Sequence, residues 1–412
     1  MPESRAAVFV TAVLIYLKTE DIMNSNVGGP HERRQSKIPM IRIKNFFKKE
    51  TVFCISFLLA VISCVAVLPD AAYLAYPDYR TLALLFCLMT IVSGFQSLGV
   101  FTILGQALLK RVGSLRGLSS ALVFLCFFCS MVITNDVALI TFVPFTILVF
   151  RMIQRQERVL KVVVLETIAA NLGSMATPIG NPQNLYLYSI SGLTAAQFGR
   201  CVLPYAGLSL VMLLGILLSE RGEAIGKTGM EKEEKRKDSR WFLSLISFLL
   251  LLILCMLVVL RILPYGPVLV CVALAVLVVN RKVFLSVDYF LLLTFLCFFI
   301  FIGNMKRIPW INSLLISLVD GQELWAGILA SQVISNVPAA ILLSGFTENY
   351  ETLITAVNLG GLGTLIASLA SLISFKFFVK EYPDKKGVFL KTFTVWNLLF
   401  LAVLTGAALF LA

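Results

Sequence analysis

The chain has 412 residues, of which 58% are hydrophobic and 14% charged, and its mean hydropathy is +0.90. A soluble domain is about 45–50% apolar and about 25% charged, so a soluble enzyme, a disordered tail protein and a single-pass receptor are excluded. Lys and Arg number 35 against 23 Asp and Glu, for a net charge of +12, but the excess sits in short loops between apolar runs. There it reports topology and gives no reason to expect a nucleic-acid partner.

The nine cysteines lie within apolar stretches and read as small buried hydrophobes, Cys126-Phe-Phe-Cys129 included. His31 is the single histidine. Without a second histidine or a cluster of carboxylates, no zinc site or histidine-based catalysis is expected, so the chain does not read as an enzyme.

In chain order, residues 1–50 read as a cytoplasmic tail. Its apolar run 6–17 is too short to span, no signal cleavage site stands out, and Met23 and Met40 are alternative starts. The stretch His31 to Glu50 holds seven Lys/Arg and two Glu, so the chain begins inside. Residues 51–68 cross outward, Asp70 and Asp78 mark an outer loop, and 79–96 return to Lys110, Arg111 and Arg116.

Residues 118–150 are apolar but interrupted at Thr134-Asn135-Asp136, with basic residues on both sides. The first arm, 118–133, is about 24 Å long as a helix, short of the ~30 Å hydrocarbon core. A re-entrant hairpin fits better than two crossings. Residues 162–190 then cross outward, broken at Thr177-Pro-Ile-Gly-Asn-Pro-Gln-Asn184, and 199–219 return. The polar stretch 220–240 reads as a cytoplasmic linker between two halves, 51–219 and 241–412.

In the second half, 241–262 cross outward, 266–280 return to Arg281 and Lys282, and 287–303 go out again. A second re-entrant hairpin, 322–347, enters from outside with its break at Ser335-Asn336-Val337. Residues 352–375 descend, broken at Thr364-Leu-Ile-Ala-Ser368, and 389–411 end outside. Lys306 and Arg307 are the exception to the positive-inside pattern. The N-terminus is therefore expected in the cytoplasm and the C-terminus outside, in the cytoplasmic membrane.

The two halves match each other. Asp78-Tyr79 recurs as Asp288-Tyr289, and Gly94 as Gly303. Ser130-Met-Val-Ile-Thr-Asn135 recurs as Ser331-Gln-Val-Ile-Ser-Asn336, an offset of 201. Asn171-Leu-Gly173 recurs as Asn358-Leu-Gly360, and Thr177 as Thr364, an offset of 187. The derived topology points the two copies in opposite directions. The expected fold is thus an all-α polytopic membrane protein with an inverted-topology repeat, two re-entrant hairpins and two broken transmembrane helices, as in secondary transporters.

Non-helical backbone at membrane depth survives only where protein or a wet cavity satisfies it. Thr134-Asn135-Asp136, Ser335-Asn336 and Asn181-Pro182 each precede a helical arm and can cap its free N–H groups. Helix N-termini aimed inward favour an anion, and released carbonyls with Asn and Ser/Thr oxygens can hold Na⁺. Asp136 is the one ionisable tip residue. It suits either a coupling proton or cation, or an N-cap. Glu166, ahead of the first break, is a weaker candidate for the same role.

These motifs resemble the ion transporter superfamily, which includes divalent anion–sodium symporters, citrate transporters, arsenite permeases and a family of sodium/proton antiporters. Thr134-Asn135-Asp136 and Ser335-Asn336-Val337 look like its paired hairpin tips, and Pro178-Ile-Gly180-Asn-Pro-Gln-Asn184 like its Gly-x-Pro-Pro-Asn break. The resemblance, with the repeat, implies solute contacts at Thr134, Asn135, Asn181, Pro182, Asn184, Ser335, Asn336 and Thr364. It implies coupling-ion contacts at Ser130, Asn135, Asp136, Gly180, Ser331 and Asn336. No cofactor is implied beyond Na⁺ or H⁺, and no other metal. The partners implied are the lipid bilayer, a small anionic solute such as a di- or tricarboxylate or an oxyanion, and a second copy of the chain. The Asn-Asp tip is closer to the arsenite and sodium/proton branches, which supply the alternative readings. A channel lacks support because no charged ring or filter repeat is present, and no phosphate-binding loop couples the cycle to ATP.

Overall fold

In hydrocarbon each backbone N–H and C=O must be satisfied within the protein, which a helix does for its whole interior. The computed structural model is helical accordingly. It describes residues 50–109 (without the side chains of 108 and 109), 112–220, 222–224 and 239–411. The expected tail, with Met23 and Met40, and most of the 220–240 linker lie outside the described residues. Among the described residues, eight helices are long and apolar enough to cross a bilayer. The chain is an all-α polytopic membrane protein.

Helix α1 (Thr51–Ala66) leads through a 3₁₀ turn, Ala71–Ala75, to α2 (Tyr79–Ser97). Asp78 caps α2 by accepting from Arg80 N and Thr81 N. Gly99, at φ +70°, then turns the chain into α3 (Val100–Leu109), an element hidden in the sequence by the continuous apolar run. The first hairpin is α4 (Leu115–Ile133) and α5 (Asn135–Met152). Its ends lie together: Leu115 N–H donates to the Glu223 carbonyl (2.8 Å), and the Glu223 carboxylate pairs with Arg155 at 3.0 Å.

The arms are longer than the sequence reading allowed. Ser114 accepts from Gly117 N and draws Leu115 to Gly117 into α4, while Arg151 stays helical at the end of α5. With 19 and 18 residues the arms reach about 27–28 Å, because charged residues move a helix out of the hydrocarbon without ending it.

Next come α6 (Val159–Ser174), a break at residues 175–181, α7 (Pro182–Ser191) and α8 (Ala195–Leu218). The hairpin tip stops level with this break: Asn135 N–H donates to the Gly180 carbonyl at 3.3 Å, and Thr177 Oγ1 to the Met131 carbonyl at 2.5 Å.

The second half opens with α9 (Ser239–Val259) and α10 (Tyr265–Asn280). After a 3₁₀ turn, Arg281–Ser286, comes α11 (Tyr289–Lys306), capped by Asp288. An unanticipated helix, α12 (Pro309–Val319), meets α13 (Glu323–Ile334) at 107°. Helix α14 (Asn336–Leu343) completes the second hairpin; α15 (Tyr350–Leu359), a break, α16 (Leu369–Glu381) and α17 (Lys386–Leu411) follow. Lys306 and Arg307 depart from the positive-inside pattern because Arg307 is spoken for. It pairs with Asp70 at 2.8 Å and donates to Tyr76 Oη at 3.1 Å. That guanidinium holds the Asp70 carboxyl below its ordinary value. The pair is therefore complete above about pH 4 and is lost only in stronger acid.

Helices α6 and α15 form the centre. All residues from Val162 to Ser174 and from Leu353 to Leu359 are buried, whereas α9, α10 and α17 expose broad apolar faces through Leu250, Val278 and Phe410. Close approach at the centre depends on glycine. A Cβ on Gly173 would collide with the Phe127 carbonyl, which belongs to a fixed helix backbone. Gly173→Ala is expected to cost about 1–3 kcal/mol through overpacking and lower the melting temperature in detergent. Gly207→Ala in α8, where nothing lies within 4 Å, should leave it unchanged or slightly raised. Equal melting temperatures for the two variants would show that α4 and α6 are not in close contact.

Candidate functional site

The two hairpin tips have nearly the same backbone. Thr134 has φ +69° and ψ 151°, and Ser335 has φ +73° and ψ 153°. A non-glycine residue at positive φ is uncommon and strained, so its occurrence at two positions 201 residues apart is informative. Neither side chain caps the following helix, which corrects the capping role expected for them. At positive φ the Oγ is carried away from the next turn, and Ser335 Oγ reaches the Ala367 carbonyl instead (3.4 Å). The Asn181 cap does form, its Oδ1 accepting from Asn184 N at 2.9 Å ahead of Pro182.

Each tip is held by its own broken helix in the same way. Asn135 N–H donates to the Gly180 carbonyl, and Asn336 N–H to the Ala367 carbonyl at 2.9 Å. Thr177 Oγ1 donates to the Met131 carbonyl, and Thr364 Oγ1 to the Gln332 carbonyl at 3.2 Å. Ser130 and Ser331 are fully buried, donate to carbonyls of their own helices, and face Gly173 and Gly360.

The broken helices then exchange partners across the centre. Asn171 accepts from Asn135 Nδ2 (3.0 Å) and Ser368 Oγ (3.1 Å), and its Nδ2 donates to Ser371 Oγ (3.3 Å). Asn358 accepts from Asn181 Nδ2 (3.1 Å) and donates to Asn184 Oδ1 (2.6 Å). Under the offset of 187, Asn171 corresponds to Asn358, Asn181 to Ser368 and Asn184 to Ser371. Residue i of one half meets j of the other, and j meets i, which is the contact pattern of a two-fold axis. The helices run in opposite directions: α16 ends at Glu381, paired with Arg151 beside the start of α6, while Thr355 near the start of α15 donates to the Cys201 carbonyl beyond α7.

Asn135 and Asn336, each 5% exposed, are therefore joined through Asn171 and Ser368 to Ala367. Beside the first tip is a cavity of about 200 Å³, lined by Thr134, Asp136, Asn181 and Pro182 from the tip and break, by Ser93 and Gln96 from α2, and by Ser286 and Asp288. Two carboxylates and no basic side chain line it. The other expected contacts are placed differently. Thr364 is exposed and away from the central cluster, its N–H held by Gln332 Oε1. The Gly180 carbonyl is taken by Asn135, and Asn184 Nδ2 by the carbonyls of Met175 and Thr177.

Sequence reasoning missed Asn171, Asn358, Ser368 and Ser371 as members of this cluster, although the repeat had already paired the first two. It also missed Gln332. Its Nε2 donates to the carbonyls of Gly360 and Leu362, filling the second break, where the first half has Met131. The polar replacement at an otherwise matched position was the available signal.

Comparison with known proteins fits this geometry. A family profile described as "Citrate transporter" matches residues 42–349, more than half of the chain. The chain belongs to the citrate transporter family. Among its relatives is an uncharacterized transporter of Methanocaldococcus jannaschii, 33% identical over 300 residues, which cover 73% of this chain and 81% of the relative. The inner membrane protein YbiR of Escherichia coli is 36% identical over 312 residues, 73% of this chain and 80% of that one. A silicon efflux transporter of Oryza sativa is 32% identical over a shorter stretch, 35% of this chain and 30% of that protein. A citrate transporter family member with eight candidate crossings among the described residues is a multi-pass membrane transporter.

Lateral hydrogen bonds in membrane bundles contribute about 0.6 kcal/mol each on average, and Asn171 makes three between side chains. Asn171→Ala should cost about 2 kcal/mol, and adding Asn135→Ala should cost less than the sum of the single effects, since they share a bond. Thermal unfolding of both single variants and the double variant checks this; strict additivity would contradict the pairing.

Proposed function

We propose that this citrate transporter family member is a secondary active transporter. It moves a small anionic solute of the di- or tricarboxylate or oxyanion class across the cytoplasmic membrane by alternating access, coupled to Na⁺ or H⁺. The observation that carries the reading is the reciprocal exchange of Asn171 and Asn358 between two antiparallel broken helices. It supports an inverted-topology repeat, with 115–152 and 323–343 as re-entrant hairpins whose tips are joined through Asn171 and Ser368. The chain then starts in the cytoplasm and ends outside, and dimerisation would involve the surrounding continuous helices.

The site is built on helix N-termini that favour an anion. Thr134, Asn135, Asn181 and Pro182 supply the solute contacts on the first side, and Ser335 and Asn336 those on the second. The cavity lies between the first tip and Asp288, which follows the basic Arg281 and Lys282, so it opens toward the cytoplasm in this conformation. At the second break the Gln332 amide takes up the backbone groups of Gly360, Leu362 and Thr364. A solute reaches one face of the cluster at a time, as alternating access requires.

Asp136 and Asp288 at the cavity would repel an anion entering alone. A cation travelling with it removes the conflict, which is why coupling belongs to the same site. The pair also supports a second reading, sodium/proton antiport centred on Asp136; an arsenite-type efflux permease is a further alternative on the same fold.

Purified protein in liposomes should accumulate labelled citrate when a Na⁺ or pH gradient is imposed. Asn135→Ala and Asn336→Ala should each reduce the rate at least ten-fold while the protein remains folded. Cation/proton exchange unaffected by any organic anion would favour the antiporter, and undiminished uptake in both variants would remove the tips from the site.

A further inference from the structure

Glu166 sits midway along α6, seven residues beyond Val159 and eight before Ser174, fully buried. One carboxyl oxygen accepts from Thr146 Oγ1 on α5, and the other has no partner among the described residues. Of the described titratable groups, the one facing it is the buried Cys126 thiol on α4. The charges on the other packed helices are turned elsewhere. Arg151 of α5 pairs with Glu381 of α16, and Lys161 with Glu220. Arg200 on α8, Lys376 and Lys380 on α16, and Lys386 and Lys391 on α17 are exposed.

An ionised carboxylate with one hydroxyl donor and no cation beside it among the described residues is not tolerated at membrane depth. Glu166 must hold a proton in this conformation. Nor does the fold require an acid there. The corresponding position of the second half is Leu353, equally buried. The contrast with Glu323 is instructive. Thr347, the counterpart of Thr146, also donates to a buried glutamate, at 2.8 Å. Glu323, however, accepts from Gly321 N as well, at the start of α13. Glu323, whose one oxygen accepts from both Thr347 and Gly321, thus has a structural task at a helix start, whereas Glu166 accepts from a single hydroxyl.

We infer that Glu166 is a proton-binding site of the transport cycle, taking up a proton from water on one side of the membrane and releasing it on the other. Its place supports this. It lies about 12 Å from the charged end of α6 at Arg158 and five residues before Asn171, between the aqueous end and the central amides. Movement of α5 and α6 would let water reach the unpartnered oxygen. This deepens the transporter reading and rests on it.

Infrared difference spectroscopy of the full-length protein in lipid tests the proton directly. The wild type should show a buried carboxylic-acid band at neutral pH that is absent from Glu166→Gln. The band should vanish reversibly as pH rises while the protein stays folded. Absence of the band at neutral pH, or its persistence unchanged until unfolding, overturns the assignment. If Glu166→Gln does not fold, Glu166→Asp must shift the band, and an unshifted band overturns it. In liposomes, a pH gradient that speeds wild-type citrate uptake should lose at least ten-fold of that effect in Glu166→Gln; a full response would overturn it. Failure of the wild type to move citrate would count against the transporter reading, while the spectra still decide Glu166.

Discussion

The structure depends on one constraint: backbone that leaves the helical conformation inside a membrane must find its hydrogen bonds within the protein. Here the two interruptions are satisfied largely by the hairpin tips and by each other. Asn135 N–H goes to Gly180 and Asn336 N–H to Ala367, and the side chains of Asn171 and Asn358 reach across to the opposite break. The small, amide-rich composition of these segments follows. Glycines at 173 and 360 let the helices come close enough, and carboxamides supply donor and acceptor on one side chain. A cluster built this way is polar yet paired, so it can lie at the centre of an apolar bundle.

Much of this was legible in the sequence because polar residues inside apolar runs are conspicuous. Thr134, Ser335, Asn181 and Thr364 all fall at the observed interruptions, and the offsets of 201 and 187 reappear as matching hydrogen bonds. Two kinds of feature were not legible. Helix α3 continues an apolar run without a change in composition, with only the turn at Gly99 to separate it, and α12 is a short apolar run between Lys306-Arg307 and Asp320 that begins at the first-turn Pro309. The roles of Asn171 and Asn358 depend on partners nearly 200 residues away, which no local pattern reports. The length of the hairpin arms was underestimated because hydropathy marks the edge of the hydrocarbon, not the end of a helix.

The two halves also differ, and on the proposed reading function enters at that point. Met131 and Gln332 occupy matching positions, but the glutamine fills the second break with its own amide while a cavity stands beside the first tip. Glu166 and Leu353 are matched in the same way, one ionisable and one not. A perfectly two-fold molecule would present both faces alike. These departures distinguish the sides and place the acidic groups, Asp136, Asp288 and Glu166, near the first hairpin and its broken helix.

The central claim is that the tips are exposed in turn, to opposite sides. It is tested by placing single cysteines, Thr134→Cys and Ser335→Cys, in a variant lacking the nine natural cysteines and adding an impermeant thiol reagent to one face of oriented vesicles. The account predicts that position 134 reacts from the cytoplasmic face and position 335 from the outer face, with one rate falling as the other rises under an imposed gradient. Simultaneous reaction of either position from both faces would contradict it.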